Sequence, residues 1–171
     1  MKKLALLVIV SLAMLSSISC AGNKKEKPKA AAGSVAWLAW DQAMAAAQSE
    51  GKFIAVDVYT DWCKWCKVMD EKTYADPAVT GLMKESFVAV KLNAESANPV
   101  NFQGKTYTEM DLARSFNISG YPTTMFLASD GTVLETIPGY IEAPVFKNIL
   151  DYFASNSYKN TNLDQYLSGK Q

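Results

Sequence analysis

The sequence predicts an α/β protein with a central mixed sheet and helices on both faces of that sheet. Helical and strand-like segments alternate from Val35 onward, which is typical of parallel strands joined by helices. Two runs, FIAVDVY (53–59) and FVAVKLN (87–93), are largely apolar, as strands covered on both faces are. The Asp-Gly pair at 130–131 lies between two further strand-like runs and predicts a hairpin, which adds antiparallel strands.

The first half of this region predicts short strands and helices in turn. VAWLAW is a short entry strand, and Asp41 is suited to cap the following helix, which ends at Gly51. The strand FIAVDVY leads into a helix that begins at about residue 64. Asp-Pro-Ala at 76–78 opens the next helix, because proline suits a first helical turn. The strand FVAVKLN follows.

The second half is less uniform. VNFQGKTYT is either a small hairpin around Gly104 or a loop, and TEMDLARSF (108–116) is helical. TTMFLAS and TVLETIP flank the Asp-Gly turn, and APVFKNILDYFAS is an amphipathic helix. The predicted order is β-α-β-α-β-α-β-β-α over residues 35–155. Residues 156–171 are rich in Asn and Ser and are predicted to form a loosely attached C-terminal tail with about one helical turn.

The chain opens with two lysines and a short apolar run, which is the layout of a secretory signal. The run is shorter than the roughly 20 residues of a membrane span; the alternative is an uncleaved anchor or a buried helix. Small residues leading into Cys20 resemble a bacterial lipoprotein signal, which implies that residues 1–19 are removed and that Cys20 carries lipid. Residues 20–34 are polar and Lys-rich and predict a flexible tether. We therefore expect a membrane-anchored lipoprotein of the bacterial periplasm.

Composition excludes several classes of function. The chain has no histidine, so it lacks the base of Ser-His-Asp and Cys-His catalysis and the commonest metal ligand. Beyond residue 33, 17 − 6 = 11 Lys and Arg stand against 17 − 1 = 16 Asp and Glu, a net charge of −5. This balance gives no reason to expect nucleic-acid binding, and we predict neither a metal nor a cofactor.

The stretch DWCKWCK contains the pair Cys63 and Cys66. A structural zinc site needs four ligands, and these two thiols are the ones available in the folded part. A purely structural disulfide is a possible alternative in an oxidising compartment. However, closing so short a loop removes little entropy from the unfolded chain, so the bond would stabilise the fold only weakly. A redox couple at the start of a helix is the reading that we favour.

The arrangement around this pair resembles the thioredoxin superfamily. A strand that runs into W-C-x-x-C at a helix start, and Gly-Tyr-Pro-Thr before a hairpin, carry the resemblance over about residues 35–155. VDVYTDWCKWCK followed by TYADPAV is similar to the thioredoxin-like domains of bacterial periplasmic thiol:disulfide interchange proteins, including the C-terminal domain of the transmembrane electron-transfer protein. The resemblance implies a thioredoxin fold and a thiol:disulfide oxidoreductase that acts on protein clients and has a membrane electron-transfer partner.

The position of the pair predicts a mechanism. A helix N-terminus favours an anion, and Lys64 and Lys67 add positive charge. The pKa of Cys63 should therefore lie below the usual value of about 8.5. Cys63 is expected to be the more exposed thiol and to attack a substrate disulfide, and Cys66, one turn further and buried, to resolve the mixed disulfide.

The resemblance also implies roles for other residues. Asp57 would be a buried acid that accepts the proton of Cys66, with Lys91 as its partner; the alternative is a merely structural pair. Pro122 would be cis and face the disulfide, where its strand edge binds extended substrate; the alternative is a trans proline. Tyr121 would face the sulfur atoms and help to choose partners.

The residues inside the motif favour a direction of electron flow. Lys64 and Trp65 replace the Gly-Pro of thioredoxin, and the His of strongly oxidising periplasmic enzymes is absent. We therefore prefer a reductase or isomerase. Trp62 and Trp65 are expected to form an apolar rim for protein substrates, although Trp62 could instead pack against the helix. The alternative function is a thioredoxin-fold chaperone or assembly factor that binds a specific client.

Overall fold

The centre of the protein is a five-stranded mixed sheet, seen in a computed structural model that describes residues 34–170. The strands are β1 (Trp37–Leu38), β2 (Phe53–Tyr59), β3 (Phe87–Asn93), β4 (Pro99–Phe102), β5 (Lys105–Thr108), β6 (Thr123–Leu127) and β7 (Val133–Pro138). The sheet order is β1-β3-β2-β6-β7; β1 and β2 pair parallel with β3, β6 antiparallel with β2, and β7 antiparallel with β6. The predicted α/β class with a mixed sheet is confirmed.

Helices cover both faces of this sheet. They are α1 (Trp40–Glu50), α2 (Lys64–Lys72), α3 (Pro77–Ser86), α4 (Glu109–Ser115), α5 (Ala143–Ala154) and α6 (Leu163–Ser168), with a short 3-10 helix at Ser157–Lys159. On one face, α1, α4 and the β4–β5 hairpin pack into a single apolar cluster. On the other face, α2, α3 and α5 form a second cluster.

Strand β2 shows how the two clusters are separated. Ile54, Val56 and Val58 point into the cluster under α1, whereas Ala55 points into the cluster under α2. This follows from the two-residue period of a strand, which sends alternate side chains to opposite faces. Asp57 shares the period of Ala55, so the acid lies on the α2 side of the sheet.

Several local signals act as predicted. Asp76 caps α3, with its Oδ1 accepting from the backbone N–H of Ala78 at 2.8 Å and of Val79 at 3.1 Å. The Asp-Gly turn joins β6 to β7, and Gly131 has a φ of 87° that suits glycine. The segment around Gly104, left open between a hairpin and a loop, is the β4–β5 hairpin.

The predicted cap at Asp41 is wrong. Helix α1 begins one residue earlier, and its N-cap, Ala39, makes no side-chain cap bond. The carboxylate of Asp41 instead accepts from the backbone N–H of Asn101 at 2.8 Å and from Nδ2 of Asn101 at 2.9 Å. Strand β4 thus offers two donors to Asp41, a tertiary contact that the local sequence does not reveal.

The C-terminal segment differs from the expected loose tail. Residues 157–168 contain the 3-10 helix and α6, and the Tyr152 hydroxyl on α5 donates to the carbonyl of Thr161 at 2.8 Å. Leu163, Tyr166 and Leu167 pack against the cluster under α5. Their spacing of three and four residues gives α6 one apolar face, which explains the attachment.

Other predictions lie outside the described residues. They are the signal peptide at 1–19, the lipid site Cys20 and nearly all of the tether at 20–34. Between residues 34 and 170, none of the helices has the length and apolar character that a membrane span needs.

Candidate active site

A disulfide between Cys63 and Cys66 lies at the N-terminus of α2. Strand β2 ends at Tyr59, and a tight turn in which the N–H of Cys63 donates to the carbonyl of Thr60 at 3.1 Å leads into the helix. Cys63 is the N-cap residue, and its Sγ accepts from the backbone N–H of Cys66 at 3.1 Å. After reduction, the backbone N–H of Cys66 can stabilise a Cys63 thiolate, because N–H groups at a helix N-terminus favour an anion.

Both sulfur-bearing residues are buried in this oxidised state. The exposed fraction is 4% for Cys63 and 2% for Cys66, so Cys63 is the more exposed by a small margin. The bond to Cys66 and the hydrogen bond from its N–H hold the Cys63 side chain against the first turn of α2. The difference in exposure between the two cysteines is therefore small in the disulfide form.

The segment before β6 contacts the segment before α2. The peptide bond between Tyr121 and Pro122 is cis, as predicted, and comes directly before β6. The ring of Tyr121 meets the ring of Trp62 edge to face, with centroids 6.0 Å apart. This contact joins the segment before β6 to the segment before α2, so the Gly-Tyr-Pro-Thr and W-C-x-x-C motifs form one surface.

Two tryptophans stand out from this surface. Trp62 is 66% exposed and Trp65 is 57% exposed. Trp65 packs on Tyr140 with ring centroids 5.3 Å apart, and Nε1 of Trp62 donates to Oε1 of Glu95 at 2.9 Å. Trp62 is therefore held between Tyr121 and Glu95 rather than buried against the helix. Sequence reasoning missed Glu95 and Tyr140, which lie far away along the chain.

Asp57 and Lys91 form the predicted pair on the face covered by α2. They are directly opposed on β2 and β3, and Nζ of Lys91 donates to Oδ2 of Asp57 at 2.9 Å. Asp57 is 1% exposed. Cys66 precedes Met69 by three residues on α2, and Met69 packs into the same cluster as Ala55, so Cys66 and Asp57 lie on facing surfaces of the helix and the sheet.

Lys91 has further partners that the sequence did not suggest. Its Nζ also donates to Oδ1 of Asp70 at 2.6 Å. Aromatic rings surround the ammonium, with centroids 5.1 Å away for Trp37, 4.9 Å for Tyr59 and 5.9 Å for Tyr74. Such contacts are favourable for a partly desolvated cation.

These surroundings shift the proton affinities of the pair. Burial raises the pKa of Asp57 above 3.8, and the nearby Lys91 ammonium opposes this shift only in part. Burial also acts to lower the pKa of Lys91, but Asp57 and Asp70 outweigh it and raise that pKa above 10.5. The site therefore holds a lysine that is charged at neutral pH beside an acid whose pKa is raised.

Metal binding finds no support in the same region of the chain. Among residues 34–170, no group of three or more Cys, Asp and Glu side chains is placed to hold a metal ion. A disulfide at the N-terminus of a helix and a buried acid–lysine pair on the sheet that this helix covers are the features of a thioredoxin-fold thiol:disulfide oxidoreductase.

The chain belongs to the thioredoxin-like domain family, whose sequence profile matches residues 40–154. Two curated relatives are named thiol:disulfide interchange protein DsbD. The protein of Pseudoalteromonas atlantica is 30% identical over 118 residues, which are 65% of this chain and 18% of the relative. That of Actinobacillus pleuropneumoniae is 30% identical over 105 residues, which are 60% of this chain and 16% of the relative. The chain thus spans less than a fifth of the length of either relative.

Solved structures agree on the fold. A putative disulphide-isomerase from Bacteroides thetaiotaomicron has a TM-score of 0.58 at 24% identity and covers 78% of this chain and 99% of its own. A thioredoxin from Thermus thermophilus has a TM-score of 0.57 at 24% identity, covering 70% and 87%. At this level of identity the two structures establish the thioredoxin fold alone.

Proposed function

We propose that the protein is a membrane-tethered, extracytoplasmic thiol:disulfide oxidoreductase that reduces or isomerises protein disulfides. The observation that carries the proposal is the Cys63–Cys66 disulfide at the N-terminus of α2. The name of the curated relatives, thiol:disulfide interchange protein, supports the same chemistry. The matched part is less than a fifth of either relative, and the proposal therefore includes a separate membrane electron-transfer partner for this chain.

In the reducing direction, the Cys63 thiolate attacks one sulfur of a substrate disulfide. A mixed disulfide forms, and the other substrate sulfur leaves as a thiolate. Cys66 then gives its proton to the Asp57 carboxylate and attacks Sγ of Cys63. The Cys63–Cys66 disulfide forms and the second substrate sulfur leaves, so the substrate gains the two electrons that the dithiol loses.

Asp57 suits the role of proton acceptor because its pKa is raised and closer to that of a thiol. Lys91 keeps the deprotonated acid paired through its bond to Oδ2. The alternative, a structural pair only, predicts that exchange does not depend on Asp57.

Substrate is proposed to bind over the surface formed by Trp62, Lys64, Trp65, Tyr121 and Pro122. Trp62 and Trp65 are exposed next to the two cysteines, where an apolar rim can cover the residues that flank a substrate cysteine. The backbone beside Pro122 can pair with an extended segment by strand addition. Lys64 is exposed and adds positive charge near Cys63.

The membrane part of the proposal rests on residues 1–34 of the sequence. Lipid on Cys20 would tether the domain to a membrane of the bacterial periplasm. Metabolic labelling with a radioactive fatty acid should mark the wild-type chain and not Cys20→Ser, and only the wild type should sediment with membranes. Equal sedimentation of the two chains would contradict the lipid tether.

The activity is tested by reduction of insulin with dithiothreitol as the electron donor. The wild-type chain should accelerate precipitation of the insulin B chain, and Cys63→Ala should abolish the acceleration. Cys66→Ala should accumulate mixed disulfides with clients, because attack remains while resolution is lost. A folded, reducible wild-type chain without activity would instead favour a client-binding chaperone, in which case Cys63→Ala/Cys66→Ala would bind the client as well as the wild type.

The direction of electron flow is tested by the reduction potential of the Cys63–Cys66 couple. We expect a value near that of thioredoxin, about −270 mV, rather than near the roughly −120 mV of a strong periplasmic oxidant. A value at the upper end would reverse the proposed direction and leave the exchange chemistry in place.

A further inference from the structure

Three buried oxygen atoms lie beside the acid–lysine pair, and the mechanism above does not use them. Oδ2 of Asp57 accepts from Lys91. By contrast, Oδ1 of Asp57, Oγ1 of Thr124 and the hydroxyl of Tyr74 are fully shielded and complete no hydrogen bond with any residue of the described chain. Buried polar atoms in proteins are nearly always satisfied, so a group of three in one place calls for an explanation.

The sheet brings two of these atoms together. Asp57 is the register partner of Lys91 on β3 and of Thr124 on β6, so the three side chains form one row across the sheet. Thr124 is 1% exposed. The row lies on the face that α2 covers, since Phe126, two residues after Thr124, packs into the cluster on that face.

Tyr74 brings the third atom from above the sheet. It follows α2, is 4% exposed, and its ring is fixed by edge contacts with Trp37 at 4.9 Å and with Phe146 at 5.4 Å between centroids. The centre of the Tyr74 ring lies 5.9 Å from Nζ of Lys91, the atom that donates to Asp57, so Tyr74 lies over the row of Lys91, Asp57 and Thr124. A carboxylate oxygen can only accept, whereas each hydroxyl can donate one proton, so two donors face one acceptor.

We propose that Tyr74 and Thr124 are positioning residues for disulfide exchange, whose hydroxyls donate to Oδ1 of Asp57 and hold its carboxylate ready for the proton of Cys66. The described geometry completes neither bond, so the contact requires a small side-chain adjustment or a single bridging water. The inference rests on the proposed role of Asp57. When Cys66 transfers its proton to Asp57, the acid becomes neutral and the Tyr74 hydroxyl is released to Thr124.

The charges around Asp57 set the sign of the effect. Besides burial, the groups that act on it are Lys91 from β3, Asp70 from α2, and Tyr74. Lys91 and Tyr74 favour the charged acid, while burial and Asp70 disfavour it. Burial also raises the pKa of Tyr74 well above 10.0, so this residue remains a donor throughout. Removal of its hydroxyl should therefore raise the pKa of Asp57.

The direct test is an NMR titration of the Asp57 side-chain carboxyl in the full chain. Tyr74→Phe keeps the ring and should raise the pKa of Asp57, and Thr124→Val should raise it by less. Tyr152→Phe is the matched control, because it removes a hydroxyl that donates at 2.8 Å to the carbonyl of Thr161 in the same apolar cluster; it should leave the titration unchanged. An Asp57 titration in Tyr74→Phe identical to that of the wild type would overturn the proposal, whatever the variant does to stability.

The kinetic test uses reaction of the reduced chain with oxidised glutathione over a range of pH. In Tyr74→Phe the acidic limb of the rate profile should move to higher pH, with rates on that limb about fivefold lower, as for loss of one ordinary hydrogen bond. In an Asp57→Asn background, Tyr74→Phe should have no further effect; an undiminished effect there would refute the coupling. The glutathione assay needs no protein client. Failure to reduce insulin would therefore overturn the proposed function, while the effect of Tyr74→Phe on the reaction with glutathione could still be measured.

Discussion

Asp57 is a single buried residue that lowers the stability of the folded protein. It interrupts a strand that is otherwise apolar and lies 1% exposed between Lys91 and Thr124. Its pKa is raised because burial outweighs the attraction of Lys91. A carboxylate in such a position destabilises the folded protein at neutral pH relative to a neutral residue of the same shape.

Substitution of Asp57 by Asn should therefore stabilise the protein. The folded pKa lies above 3.8, so the folded state binds more protons and the free energy of unfolding falls as pH rises from 3.8 through the folded pKa, after which it is level. Because Asn does not titrate, the variant does not lose stability in this pH range, and Lys91 retains its bond to Asp70. Urea unfolding at pH 7 should show a gain on the order of 1 kcal/mol, together with slower disulfide exchange.

Lys91→Met is the matched comparison for this prediction. It leaves the buried Asp57 carboxylate without its ammonium partner, so the free energy of unfolding at pH 7 should fall rather than rise. If the Asp57→Asn variant were less stable than the wild type at pH 7, the prediction would be contradicted. The ion pair would then contribute more to the free energy of unfolding than the desolvation of the acid.

Sequence reasoning identified the residues of the site that belong to short motifs. The pair Cys63 and Cys66 follows from its own spacing, and the cis bond before Pro122 follows from the family resemblance that the Gly-Tyr-Pro-Thr motif carries. Glu95 and Tyr140 could not be found in this way, since their contacts with Trp62 and Trp65 join segments more than thirty residues apart. The same reason explains why the partner of Asp41 on β4 was missed.

At the scale of elements, helix α3 shows a boundary that local chemistry fixes. Asp76 accepts from two backbone N–H groups, and Pro77 occupies the first turn, where no amide donor is needed. Asp76→Ala should lower the free energy of unfolding by about 1 kcal/mol, measured by urea denaturation. Glu85→Ala, an exposed change near the end of the same helix, should be neutral. Equal losses in the two variants would argue against the cap.

Helix α6, unlike α3, depends on tertiary packing, because its helical pattern is short and it packs against the apolar cluster under α5. Chain termination after Asn156 should lower the free energy of unfolding by about 2 kcal/mol, as the apolar contacts of Leu163, Tyr166 and Leu167 are lost. Termination after Ser168, which keeps α6, should have little effect. Insulin reduction should persist in both, since these residues do not touch the disulfide. Unchanged stability after the longer truncation would restore the picture of a loose tail.

At the scale of the whole molecule, two opposing electrostatic effects act on the Cys63–Cys66 redox couple. The N-terminus of α2 and the exposed Lys64 and Lys67 favour a thiolate on Cys63. Asp57, buried on the facing surface of the sheet, disfavours negative charge on Cys66. The first effect stabilises the reduced protein and the second stabilises the oxidised protein. We propose that the balance of these two effects, rather than the Cys-x-x-Cys spacing, determines whether the couple gives or takes electrons.

The stabilities of the oxidised and reduced chains should reveal this balance. Folding and reduction form a thermodynamic cycle, so the difference in unfolding free energy between the two forms equals the difference in reduction potential between the folded and unfolded couples, with about 30 mV for each 1.4 kcal/mol. We expect the oxidised chain to be the more stable in urea at pH 7, because the motif lacks the histidine of strong oxidants and Asp57 opposes a second negative charge. Asp57→Asn should narrow the difference, and Cys63→Ala/Cys66→Ala should unfold identically with and without reductant. A reduced chain that is more stable than the oxidised one would mean that the helix N-terminus and the lysines prevail, and that the protein takes electrons from its clients.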